Sequence, residues 1–456
     1  MSEKNKNIQM ITGDPKKAII KLSIPMMISM LLIMLYNIAD SIWVAGLGAD
    51  ALAAIGFITP LFMVLVGLGN GIGAGANSLI ARYIGAKNHE QANNAGLHAI
   101  LLCIVISVIF TILMMVFMRQ LLELMGAGDT ISFALDYGYI VFGALIIFVY
   151  SGVASAIFRS EGDMRRATIA IAVTAVMNII LDPLFIYILD MGIAGAAWAT
   201  VFSATLSCLV MSYWIWGKKD LFLDLSPKNF NYESQMIVDE LQVAIPSTLE
   251  NIIFSLLAVM INGMLVIVAG TTAVAVYTAS MRIVQLAMIP LIGIGTAVLT
   301  VAGVAYGARN YENLKTAHSY SIKLGFALSI TLGAIMFIFS AQIATMFSYT
   351  AASADLAPQI ATALSVLSLF VLAIPHGMMS SMVFQGVGRG VNSLIITLLR
   401  SLILETVCAY IFCFVFGWGL VGIYSGVIIG CFIGGTFGYI WAKIFIKRFG
   451  ENLHHA

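Results

Sequence analysis

Asp40 is a carboxylate set inside an apolar run. It closes the motif Tyr36-Asn37-Ile-Ala-Asp40, in a stretch that opens near Ile19 and ends at Gly46-Leu-Gly48. A second acid, Asp182, stands in another apolar run as Asn178-Ile-Ile-Leu-Asp182-Pro183. Each run is long enough to cross a bilayer, which takes about 20 apolar residues. A lone charge at that depth costs at least ~2.5–3.5 kcal/mol, so such acids mark a pathway or a bound partner. Tyr36 and Asp40 are four residues apart and share a helix face, as do Asn178 and Asp182. Pro183 removes one backbone donor, which frees the Ile179 carbonyl to turn toward a ligand. With the Thr200 hydroxyl, these are hard oxygen donors that suit Na⁺ or H⁺ better than a soft metal. The expectation is one buried cation site made from Tyr36, Asp40, Asn178, Asp182 and Thr200. No metal beyond Na⁺ and no organic cofactor is expected.

Helices must carry these residues. The chain has 456 residues, of which 61% are hydrophobic and 10% charged. A soluble domain is typically ~25% charged. Apolar runs recur along nearly the whole length and number twelve, among them 18–44, 167–189, 192–216, 238–268 and 273–304. The fold class is therefore an all-α membrane protein with twelve transmembrane helices in two pseudo-symmetric six-helix bundles. With the N-terminus placed inside, 20 of the 23 Lys and Arg fall on inner segments and only Arg119 on an outer one. That bias predicts both termini in the cytoplasm and a multi-pass protein of the plasma (inner) membrane. The polar start, 1–9, lacks the apolar core of a cleavable signal. The five cysteines lie in apolar segments with no CxxC pair, as small packing residues do. A net charge of +1 gives no reason to expect nucleic acid, and a monomer in the bilayer is expected.

The longest polar interruption falls near 217–240 and divides the chain into an N-lobe 1–217, a cytoplasmic linker 218–237 and a C-lobe 238–456. The two halves match. Ile84-Gly-Ala-Lys-Asn-His-Glu90 pairs with Tyr306-Gly-Ala-Arg-Asn-Tyr-Glu312 at an offset of 222. Phe158 and Gly162 pair with Phe384 and Gly388 at 226, and Met191-Gly-Ile-Ala-Gly195 with Trp418-Gly-Leu-Val-Gly422 at 227. Each half has an even number of spans, so both enter the membrane in the same sense, with a cavity expected between them.

The buried polar residues are not repeated. By these offsets Asp40 falls on Asn262, Tyr36 on Ala258, Asn178 on Leu404, Asp182 on Cys408 and Thr200 on Val427. If they merely held helices together, the second half should need similar ones, so a specific role in the first half is favoured. Other candidates are softer. Asn37, Met26, Met30, Met260, Met281, Arg282 and Glu250 could line a pocket for substrate, since flexible thioethers adapt to varied ligands. Pro25 and Pro246 occupy equivalent places and could act as hinges. No HExxH, GxSxG or His/Asp metal cluster lies in the spans, so an enzyme is not expected.

Taken together, Tyr36-Asn-Ile-Ala-Asp40, Gly46-Leu-Gly48…Ala51-Leu-Ala-Ala-Ile-Gly56, Asn178…Asp182-Pro183 and Gly195-Ala-Ala-Trp-Ala-Thr200 resemble the multidrug and toxic compound extrusion (MATE) family, nearest its DinF-like branch. The resemblance covers nearly the whole length. It implies two six-helix lobes opening alternately to either side. It further implies export of amphipathic, often cationic, small molecules against inward flow of Na⁺ or H⁺. Residue by residue, it puts the cation site on Asp40, Asn178, Asp182 and Thr200, with Tyr36 nearby. The family's NorM branch carries a carboxyl-lobe acid on the seventh helix, for which Glu250 is the nearest candidate. A flippase for a lipid-linked precursor of the same superfamily is the alternative. It would need a basic cavity, for which only Arg282 and Arg400 are available.

Overall fold

The computed structural model describes residues 3–218, 220–347 and 356–455. Lys219, counted above among the inner charges, lies outside them. All regular structure in the described residues is helical, as a bilayer demands of a chain that must satisfy its own backbone groups. A short leading helix, Glu3–Thr12, precedes the first span. In the first half the spans are α1 (Pro15–Ala45), α2 (Ala49–Gly85), α3 (His89–Leu124) and α4, whose pieces Ile131–Gly143 and Leu145–Ser160 bend by 48°. Then come α5 (Met164–Pro183) and α6 (Gly192–Ser212). In the second half one helix, Ser234–Gly307, leaves helical geometry at Ala269 and Gly270, which makes it two spans, α7 (234–268) and α8 (271–307). Next are α9 (Tyr311–Ile338), α10 (Ala357–Ala373 with Pro375–Gly386, bent by 40°), α11 (Gly390–Val415) and α12 (Gly419–His455). With each bent pair taken as one span and the long helix as two, twelve helices of the expected composition result among the described residues.

The duplication is written into the backbone. Lys87 and Arg309, 222 apart, both take left-handed φ, at 57° and 51°. Each is followed by an asparagine, Asn88 or Asn310, whose side chain accepts from the backbone N–H three residues on and caps the next helix. Gly162 and Gly388 repeat a φ of 79° and 83°, and Gly192 and Gly419 one of 56° and 57°. Such values suit glycine because it has no Cβ.

The contacts gather into two compact units: 1–13 with 25–248, and 14–24 with 249–456. Of the three cuts, one falls at Pro25 and another two residues past Pro246. Helical backbone runs through both prolines, and the long helix leaves helical geometry at Ala269–Gly270, at the boundary expected between the runs 238–268 and 273–304.

The 220–233 segment packs within the first unit as an extended strap. Leu221, Leu223 and Leu225 alternate inward and are buried. Its backbone donors are taken up by side chains. Phe222 and Leu223 N–H donate to the Glu161 carboxylate at 3.1 and 2.8 Å, Asp224 N–H to Asn93, Asn231 N–H to Asn94, and Glu233 N–H to His98 Nε2. Arg166 adds an ion pair with Asp220 at 2.7 Å. A Cβ at Gly96 would stand 2.6 Å from Leu225 Cδ2, so glycine there leaves room for the Leu225 side chain to pack on α3. Glu161 lies beyond the end of α4. Burial pushes its carboxyl up to about 7, against the pull of the two backbone donors.

Candidate functional site

Helices α1 and α5 hold each other at three levels in one parallel register. Near the start, the Pro25 carbonyl accepts from the Ser29 and Thr168 hydroxyls, each at 3.0 Å, and Ser29 also donates to Thr168 at 2.9 Å. Near the far end, the Tyr187 hydroxyl donates to the Trp43 carbonyl at 2.6 Å. It sits where a Cβ at Gly46 would stand, so glycine there makes room for the ring. Between these ties the side chains of Asp40 and Asp182 come within hydrogen-bonding range. The partners are offset by 143, 142 and 144 residues in turn, so one register fixes all three contacts.

Local structure explains how α5 and α6 present the rest. Past Pro183 the chain continues as a π-helical turn, Leu184–Ile188. Such turns absorb a lost i→i−4 bond and recur at functional sites. Gly195 packs directly on this turn, where a Cβ would lie 2.6 Å from the Phe185 carbonyl oxygen. The small residues Gly195, Ala196, Ala197 and Ala199 are buried and let α6 approach closely. Thr200 follows one turn after Ala196 and comes to face Asn178.

The Asn178 amide donates to Asp182 Oδ1 at 3.3 Å and to Thr200 Oγ1 at 3.4 Å. Thr200 donates to the Ala196 carbonyl at 3.0 Å. Asn178 and Asp182 are 2% and 0% exposed. Asp40 Oδ1, Asp182 Oδ2 and Asn178 Oδ1 are buried with no hydrogen-bond partner among the described residues. Among the described residues no basic side chain acts on either acid. Two carboxylates face to face are two acceptors, and only a proton or a cation between them can hold that contact. Orphaned acceptors that converge without a counter-charge are the arrangement a small cation needs. Tyr36 lies within the field of Asp40.

Reading the sequence missed one member. Tyr137 on α4 is buried, hydrogen-bonds Thr200, and feels the charges of both acids. The comparison of halves held the clue, since at an offset of 226 Tyr137 falls on Ala363. No polar residue stands four away on α4 to mark it, since Phe133 and Val141 flank it there.

The softer candidates scatter. Asn37 is exposed, Met26 is buried, and Met30 and Met281 are half-buried. Met260, exposed, accepts weakly from the Thr406 hydroxyl. Arg282 is exposed in the middle of α8, whereas Arg400 is buried on α11. Glu250 is buried in the second unit. Its carboxylate accepts from Gln385 Nε2 at 3.3 and 3.2 Å and from Ser393 Oγ at 2.6 Å, with Arg400 in its field.

A polytopic helical bundle with a buried site of oxygen donors is the architecture of a membrane transporter. The chain belongs to the MATE family: the MatE family profile matches residues 25–184 and 246–411. It is 26% identical over 424 residues to the "Probable multidrug resistance protein NorM" of Thermotoga maritima, covering 91% of this chain and 89% of the relative. It is 27% identical to the "FAD transporter" of Shewanella oneidensis, covering 85% and 86%. Among solved structures, that of a MATE in complex with MaL6 superimposes with a TM-score of 0.95 at 38% identity, covering 98% of this chain and 99% of that one.

Proposed function

We propose that the protein is a secondary active multidrug exporter, expelling amphipathic and cationic small molecules by antiport with Na⁺ or H⁺. The observation that carries this is the set of converging, unpartnered oxygens of Asp40, Asn178 and Asp182, with no basic residue beside them. A cation entering the site neutralises the facing acids and draws α1 and α5 together at mid-depth. Its departure leaves like charges in contact and favours a different packing of α1. Substrate binding and cation binding thus oppose each other through alternating access, because each favours a different facing state. One monovalent cation moving down 100 mV supplies about 2.3 kcal/mol, enough for roughly a 50-fold gradient of a neutral substrate. Both termini are placed in the cytoplasm by the charge asymmetry of the loops, the protein works as a monomer in the plasma membrane, and it needs no cofactor. The lobes are 1–217 and 238–456, joined by 218–237. The flippase reading is weaker because, of the two mid-span arginines, Arg400 is buried in the field of Glu405 and only Arg282 is exposed.

Purified protein in proteoliposomes tests this directly. With a Na⁺ or a pH gradient imposed in turn, one of them should drive efflux of a fluorescent cationic dye. Asp40→Asn should abolish that drive while leaving the protein folded. Undiminished gradient-driven efflux by Asp40→Asn would refute the assignment.

A further inference from the structure

At one end of the second unit lies a cavity of about 300 Å³. Its polar wall is Arg389, between α10 and α11, with Asn392 on α11 and Arg448 on α12; its apolar floor is Tyr306, Phe445 and Phe449. The Arg389 guanidinium lies over the Phe445 ring, 4.9 Å from its centroid, and Tyr306 packs on Phe449 with centroids 4.8 Å apart. Neither arginine is ion-paired with a carboxylate among the described residues; the nearby Glu451 is engaged by Lys447 at 3.7 Å. Two exposed guanidiniums over an aromatic floor make an anion site, and guanidinium forks match phosphate oxygens in geometry.

A second observation says which anion. Ile433, Phe437, Ile440 and Ile444 are exposed on α12 at spacings of four, three and four, so they form one apolar stripe along a single face. Ile444 also lines the cavity. The stripe therefore runs along the membrane-spanning part of α12 and ends at the two arginines. A soluble phosphate has no use for it, but the acyl chains of a lipid do. The charge bias of the loops puts this end at the cytoplasmic surface, where anionic lipids concentrate.

We propose that this cavity binds the phosphate headgroup of an anionic phospholipid of the cytoplasmic leaflet, with its acyl chains laid along the Ile433–Ile444 stripe. Arg389 and Arg448 hold the phosphate, and Asn392 donates to its ester or glycerol oxygens. The site is independent of the cation pocket and of the transport reading.

Native mass spectrometry of the full-length protein, titrated with phosphatidylglycerol or with phosphatidylcholine of the same chains, tests it. The unaltered protein should retain phosphatidylglycerol in preference. Arg389→Gln with Arg448→Gln should weaken that binding about 30-fold, at roughly 1 kcal/mol per arginine, and leave phosphatidylcholine unchanged. The double lysine variant, which keeps both charges, should retain most of the affinity, and Ile440→Ser should weaken it by a smaller factor. Equal retention of the two lipids, or unchanged phosphatidylglycerol binding in the glutamine pair, overturns the proposal. Displacement of the lipid by millimolar inorganic phosphate, with Ile440→Ser silent, overturns it in favour of a soluble-anion site.

Discussion

Each half of this molecule buries acid among its helices, and each does so differently. In the first unit Asp40 and Asp182 face each other with no basic neighbour and with acceptor oxygens left over. In the second unit Glu250 accepts three short contacts from Gln385 and Ser393 and shares its surroundings with Arg400. The two halves descend from one repeat and share caps, left-handed turns and loop charges, so the contrast is not one of fold. It lies in bookkeeping of donors and acceptors: one cluster is closed and the other open. An open cluster of acceptors takes up a cation, whereas a closed one holds helices.

The contrast is most exposed to a paired substitution. Asp182→Asn should reduce cation-driven efflux in proteoliposomes at least ~100-fold, equivalent to ~2.7 kcal/mol, the scale of a lost charged contact in a buried site. Glu250→Gln should leave the ion dependence of transport unaltered. If Glu250→Gln abolishes coupling and Asp182→Asn spares it, the assignment of open and closed is reversed.

The strap offers the next largest effect. Glu161 corresponds to Val387 in the second half, so only the first unit carries this buried acid. Its carboxyl is raised from 4.5 to about 7 in the folded protein, so the folded state binds the extra proton. Stability from this group is thus full below about pH 4.5 and declines as pH rises toward 7, by at most about 3 kcal/mol. Amide exchange at Phe222 and Leu223 should accelerate over that window, and Glu161→Gln should flatten the dependence. A strap equally protected at pH 5 and pH 8 in the unaltered protein would remove the effect.

Melting temperatures sharpen the comparison further. In Na⁺-free buffer at alkaline pH, Asp40→Asn should raise Tm by a few degrees, because it relieves two like charges held in contact. Glu250→Gln should lower Tm or leave it alone, since it disturbs an acceptor that already has its donors. Opposite signs, with Asp40→Asn destabilising, would mean the first cluster is as closed as the second.

The smallest expected change is at Tyr137. Tyr137→Phe removes one hydrogen bond to Thr200, so the half-saturating cation concentration for transport should rise about 5-fold, on the order of 1 kcal/mol. A change in maximal rate with no change in that concentration would place Tyr137 outside the cation site.

Much of this was legible before any coordinates. Long apolar runs leave helices as the only backbone solution in lipid. The repeat offset pairs Lys87 with Arg309, and the shared local sequence gives both the same left-handed turn. The i,i+4 spacings put Tyr36 over Asp40 and Asn178 over Asp182 for the same reason. What stayed hidden was anything that depends on which helix lies against which. The break at Ala269–Gly270 falls where the runs 238–268 and 273–304 part, although helix continues up to it and resumes at once beyond it. The segment expected to be a plain linker is seated on α3 and on Glu161, because its alternating leucines found a surface.

The chain alone thus determined a twelve-helix transporter built from a duplicated half, with Asp40 and Asp182 set in apolar runs of the first copy and not repeated in the second; these follow from hydropathy, charge placement and residue spacing, all local along the sequence. Tertiary structure alone decided that Asp40 and Asp182, 142 residues apart, meet; that Tyr137 joins them through Thr200; and that Glu250 is satisfied by Gln385 and Ser393. Those outcomes hinge on helix register and on close approach at Gly46 and Gly195, which are properties of packed surfaces and not of any single stretch of chain.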